Sequence, residues 1–205
     1  MRCELRRRLR GGAAVLLADV AREERDEGLV HLALREVAPG RFAPRDPAET
    51  LARLNHIILS DIDTDHYFTI ALAEVDLACG RVRLAQGGHP HPAVQRRSGA
   101  VEFVGKGGLP IGLIGAASFD QVEVALGPGD RLLIYSDGLT ECAAPDGTLL
   151  DEAGLARLMT ELRQTRGPAF LESLFWKLAD HAQDADLADD VSAILLEFTE
   201  SPRTG

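Results

Sequence analysis

The stretch Arg131-Leu-Leu-Ile-Tyr-Ser-Asp-Gly-Leu-Thr-Glu141 runs an apolar strand straight into an acidic residue followed by glycine. Asp137 is therefore expected at a rigid strand end, and Gly138, without a Cβ, is expected to let the chain turn sharply beside it. A second stretch, Leu187-Ala-Asp-Asp-Val-Ser-Ala-Ile-Leu-Leu-Glu197, has the mirror order, with adjacent Asp189 and Asp190 opening another apolar strand. Carboxylates brought together from two strand ends repel one another unless a hard divalent cation neutralises them. Oxygen-only ligation suits magnesium or manganese, and the chemistry this points to is metal-assisted hydrolysis.

Outward from these strands, period-two and apolar runs bounded by turn residues dominate the middle of the chain, and helical periodicity returns near its end. A buried strand is expected at 13–19. Asp46-Pro47 supplies a helix cap and a favourable first helical position, with Leu51, Leu54, Ile58 and Leu59 on one face of the helix that follows. Residues 66–76 and 81–86 read as a hairpin around Leu77-Ala-Cys-Gly80. Further strands are expected at 93–97, 100–104, 119–125 and 131–136, helices at 151–162 and 168–181, and a last strand at 191–198. In the second of these helices, Phe175 and Trp176 fall in a helical pattern with Leu171, Leu174 and Leu178 and read as core, with a docking face as the alternative. Many antiparallel strands with a few inserted helices imply one layered α+β domain over 1–205 rather than a doubly wound parallel sheet.

Composition narrows the function classes. The 205 residues carry a formal net charge of −10, and the one short basic run, Arg6-Arg-Arg-Leu-Arg10, reads as a solvated terminal segment, so nucleic acid is not an expected partner. No apolar run approaches the roughly 18 residues a membrane helix needs. Cys3, Cys79 and Cys142 are odd in number and lack metal spacing, which fits a reducing cytoplasm. His89 and His91 have no third ligand for zinc; they read as a structural turn with His89 hydrogen-bonded to backbone. Gly107-Gly108 is followed by neither the helix nor the lysine of a phosphate loop and reads as a turn.

Seven short elements in order carry a resemblance: Leu51-Ala-Arg-Leu-Asn55, Tyr67-Phe-Thr-Ile70, Gln86-Gly-Gly-His-Pro-His-Pro92, Gly108-Leu-Pro-Ile-Gly112, Pro128-Gly-Asp-Arg-Leu132, Ser136-Asp-Gly-Leu-Thr-Glu141 and Ala188-Asp-Asp-Val-Ser192. Over residues 47–198 the chain resembles the SpoIIE-type branch of the metal-dependent protein serine/threonine phosphatases, the PPM or protein phosphatase 2C-like superfamily. The resemblance implies an antiparallel β-sandwich flanked by helices, with a binuclear Mn or Mg site at one end. It implies metal positions at Asp19, Val20, Asp137 and Asp189, with Gly138 and Asp190 in support. Catalysis then needs no side chain beyond water held by the metals. The implied substrate is a phosphoserine or phosphothreonine on a bacterial regulatory protein, of the STAS-type anti-sigma factor antagonist kind.

Residues 1–46 depart from the pattern. The family's Gly-Gly-Asp element has no counterpart in residues 1–12, where Gly11-Gly12 is followed by Ala13. Ala18-Asp19-Val20 ends an apolar run as the bridging aspartate should, but Ala21-Arg-Glu-Glu-Arg-Asp-Glu27 replaces the expected Gly-His-Gly and is too charged for a buried helix. The fold is accordingly expected to lack part of its first strands and helix. The alternative function is a catalytically impaired pseudophosphatase that acts as a protein-binding module.

Overall fold

The computed structural model describes residues 2–9, 12–21, 46–61, 67–183 and 191–199, the first two segments by backbone and pairing. The chain divides into two compact units, residues 1–91 with 105–125 and residues 92–104 with 126–205. Each unit is built on one antiparallel sheet.

In the first unit, strands β1 (Arg2–Leu9), β2 (Gly12–Ala21), β3 (Tyr67–Asp76), β4 (Arg81–Gly87) and β7 (Gln121–Ala125) pair in the order β1-β2-β3-β4-β7. Helix α1 (Pro47–Asp61) covers one face. Its start is fixed locally: Ala48 N–H donates to Asp46 Oδ1 at 2.8 Å, and Pro47 stands where a missing N–H costs nothing. Leu51, Leu54 and Ile58 then meet Phe68, Ile70 and Leu72, the alternate residues of β3, together with Ala85 and Ile111. Leu59, expected on the same face, is 41% exposed. Asn55 is buried instead, where its Oδ1 accepts the Gly112 N–H at 2.8 Å and its Nδ2 donates to the Ile114 carbonyl at 3.0 Å.

Strand β1 is absent from the expected strands, although it pairs with β2 in unbroken register from Arg2↔Asp19 to Leu9↔Gly12. Its four arginines hide the apolar alternation that marks a half-buried strand. They suit an edge, where charge discourages pairing with another chain. Two strands thus stand in a segment expected to lack part of its first strands, and residues 22–45 lie outside those described.

In the second unit, β5 (Ala93–Gln95), β6 (Val101–Phe103), β8 (Arg131–Tyr135) and β9 (Ala193–Glu197) pair in the order β6-β5-β8-β9. Helices α2 (Asp151–Glu161) and α3 (Pro168–Ala182) share a core with this sheet. Leu133 and Tyr135 of β8 pack with Leu155 and Met159 of α2 and with Phe170, Leu174 and Leu178 of α3. Arg131 is buried on the same alternation: its guanidinium lies 4.6 Å from the centre of the Phe170 ring and donates to the carbonyls of Thr165 and Arg163, both at 3.1 Å. This ties the α2–α3 loop to the strand.

One helix assignment is corrected. Trp176 is 78% exposed and Phe175 37% exposed, whereas Leu174 and Leu178 are buried. At about 100° per residue, Trp176 stands some 200° around the helix from each of those leucines, so both cannot share a face with it.

Candidate functional site

Every residue of β8 is buried, and the strand ends at Tyr135, two residues before Asp137. Ser136 is still extended, with ψ of 159°, and the chain then closes into a 3-10 turn over Asp137–Leu139. The Asp137 carbonyl accepts the N–H groups of Thr140 and Glu141 at 2.9 and 2.8 Å and the Thr140 hydroxyl at 3.2 Å. The backbone at this aspartate is therefore held by three donors. Its half-buried carboxylate takes the Gly138 N–H on Oδ1 at 2.9 Å, and among the described residues nothing donates to Oδ2. Gly138 is not one of the residues with positive φ. The expected need for a residue without Cβ thus gives way to a different role, an N–H that orients the carboxylate.

Tyr135, just before this turn, is buried in the helix-covered core. Burial, and secondarily the charge of Glu152, push its phenol well above the usual range, so it stays neutral beside the acidic turn.

The β8–β9 ladder runs from Arg131↔Glu197 to Tyr135↔Ala193. It continues for one more rung: Ser136 N–H donates to the Ser192 carbonyl, and Ser192 N–H donates to Ser136 Oγ, both at 3.0 Å. Asp190 is two residues before Ser192 in sequence, and Asp189 and Asp190 lie outside the described residues.

In the first unit, Asp19 and Val20 lie just before Ala21, the last residue of β2, at register positions opposite Thr69 and Phe68 of β3. On the other side Asp19 stands opposite Arg2. The Thr69 hydroxyl shares a 3.2 Å hydrogen bond with His89 Nδ1. Gln86 supplies backbone contacts here: its Nε2 donates to the His89 and Pro90 carbonyls at 2.9 Å, and its Oε1 accepts the N–H groups of Lys106 and Gly107 at 3.0 and 3.2 Å. Gly107 and Gly108 have positive φ, in keeping with the expected turn, and a Cβ on Gly108 would stand 2.8 Å from the Gln86 carbonyl oxygen.

Sequence reasoning left Ser136, Asn55 and Gln86 without roles. The available signal was a polar residue at the end of an apolar strand, or one inside the apolar stripe of a helix, which must find partners when buried. Among the described residues no group of three or more His, Cys, Asp or Glu side chains converges. The donor that is described, a carboxylate at a fixed strand end, has the hard-oxygen chemistry that magnesium and manganese take. No described helix is long and apolar enough to cross a membrane.

Residues 11–199 match the family model described as Stage II sporulation protein E (SpoIIE). Two phosphoserine phosphatases of Bacillus subtilis (strain 168) are each 24% identical to the chain. RsbU aligns over 151 residues, 73% of this chain and 44% of RsbU, and RsbP over 135 residues, 63% of this chain and 34% of RsbP. The chain thus spans less than half the length of these relatives. Among solved structures, the SiaA-PP2C domain of Pseudomonas aeruginosa superposes with a TM-score of 0.83 at 18% identity, covering 96% of this chain and 80% of that one. The phosphatase domain of SpoIIE from Bacillus subtilis gives 0.72 at 18% identity, covering 100% and 88%. RsbX in complex with magnesium gives 0.65 at 13% identity, covering 95% and 85%.

Proposed function

The chain belongs to the SpoIIE family and has its PPM-type phosphatase fold, and from that premise we propose that it is a metal-dependent serine/threonine phosphatase. In this reading Asp19, Val20, Asp137 and Asp189 hold Mn or Mg, with Gly138 and Asp190 in support. The observation that carries it is Asp137, held at the end of an all-buried strand with one carboxylate oxygen oriented by the Gly138 N–H. A divalent cation there, when bound, supplies Lewis-acid activation of water and neutralises charge on a phosphoryl group.

The chain's own groups prepare the site. The 3-10 turn fixes the Asp137 backbone, and the Gly138 N–H orients one carboxylate oxygen while no described residue donates to the other. Neutral Tyr135 and the apolar cluster around it keep water from one side of the turn. The substrate in this reading is a phosphoserine or phosphothreonine on a cytoplasmic regulatory protein, of the STAS-type anti-sigma factor antagonist kind. The names of the phosphoserine phosphatases RsbU and RsbP support the phosphoserine part.

One observation favours the second reading, a pseudophosphatase that keeps the fold as a binding module. The Gly-Gly-Asp and Gly-His-Gly elements of the family pattern have no counterpart in residues 1–46 of the sequence, so the metal donors they would supply are missing. Hydrolysis of p-nitrophenyl phosphate in Mn separates the two. The phosphatase reading expects Mn-dependent turnover that Asp137→Asn lowers at least about 100-fold, near 2.7 kcal/mol of barrier. Turnover no greater than that of the variant leaves the binding module.

A further inference from the structure

We propose that Ser136 is a positioning residue for the metal site, setting the start of the last strand, at Ser192, against the turn that carries Asp137. The inference rests on the reading of Asp137 as a metal position. Its geometry is one rung of sheet beyond the regular ladder. The last Cα pair of β8 and β9 is Tyr135↔Ala193, and after it β8 turns away into the 3-10 turn. The next carbonyl of the chain, that of Ser136, is taken by the Leu139 N–H of the turn at 3.1 Å. In that position Ser136 accepts the Ser192 N–H on its side chain at 3.0 Å while its own N–H reaches the Ser192 carbonyl at 3.0 Å.

The pair of bonds clamps both backbone groups of Ser192 to Ser136, which is itself fully buried. Only the hydroxyl bond belongs to the side chain, so it can be removed without touching the backbone one. Ser192 is three residues from Asp189, and Ser136 is adjacent to Asp137. A side chain that orients the partners of a metal ligand, while touching no metal, changes affinity by about 10- to 100-fold when lost.

The test compares wild type, Ser136→Ala, Ser136→Thr and Ser136→Cys. It measures Mn affinity by calorimetry, exchange of the Ser192 amide by NMR, and the melting temperature without metal. Ser136→Ala is expected to speed Ser192 exchange and weaken Mn binding about 10-fold or more, and Ser136→Thr, which keeps the hydroxyl, is expected to restore both. A role in folding alone lowers the melting temperature and leaves Mn affinity unchanged, which overturns the proposal. If Ser136→Ala does not fold, Ser136→Cys keeps the volume with a weaker acceptor and must weaken Mn binding without loss of fold; unchanged affinity overturns the proposal again. A wild type that binds no Mn removes the metal reading and this inference together, whereas wild-type binding that neither variant alters removes this inference alone.

Discussion

Asp130 and Asp137 flank the same five-residue strand and serve different ends. The Asp130 carboxylate accepts the N–H groups of Arg97 at 2.8 Å and Gly127 at 3.0 Å and meets the Arg96 guanidinium at 3.0 Å. Burial pushes its pKa up, but the two backbone donors and the guanidinium outweigh it and hold the group below the ordinary aspartate range. A carboxyl held low in the folded state contributes stability that is complete above the unfolded value, roughly 3.9, and is lost as pH falls through the lower folded value. Asp130→Asn is therefore expected to cost about 1–3 kcal/mol at pH 7 and to flatten the loss of stability below about pH 4. Urea unfolding at pH 7 and in steps down to pH 3 measures both, and an unchanged acid slope refutes the assignment. That Asp130 closes a turn is legible in Gly127-Pro-Gly-Asp130. That it gathers Arg96 and Arg97 from thirty-odd residues earlier is not, because only folding puts those donors within 3.0 Å.

Helix α3 shows what periodicity decides and where it was misapplied. Phe170, Leu174, Leu178 and Ala182, spaced by four, are its buried residues, and this stripe can be read directly from the letters. Hydrophobicity alone drew Phe175 and Trp176 into the same group, although angular position sends them elsewhere. Leu174→Ala is expected to cost about 2–5 kcal/mol by emptying a filled core site, while Trp176→Ala is expected to change stability by no more than about 0.5 kcal/mol. Thermal melts of the two variants check the contrast, and a large loss for Trp176→Ala contradicts the exposed placement. Helix α1 was legible at its start because Asp46-Pro47 is a local signal. The buried place of Asn55 was not, since its partners Gly112 and Ile114 are distant in sequence. Strand β1 escaped for the opposite reason, its pairing with β2 being local but its residues charged.

Across the whole molecule, a formal net charge of −10 means that acidic groups repel one another unless cations offset them. In the phosphatase reading a divalent ion binds the folded chain and not the unfolded one. Mn at about 100 times its dissociation constant then adds about 2.7 kcal/mol of stability, a rise of roughly 5–11 °C in melting temperature for a chain of this size. A chelator is expected to reverse the shift and Asp137→Asn to abolish it, as followed by calorimetry; a melting temperature indifferent to Mn contradicts the reading. The sequence by itself determined the α+β class, most of the strands and helices, the family and the strand-end placement of Asp137. These depend on short-range periodicity, turn chemistry and the order of motifs along one chain. Tertiary structure alone decided that Arg2 stands opposite Asp19, that Gln86 joins two loops, and that Ser136 clamps Ser192 across fifty-six positions. Those pairings follow from register between strands, and register is set by packing that no single segment encodes.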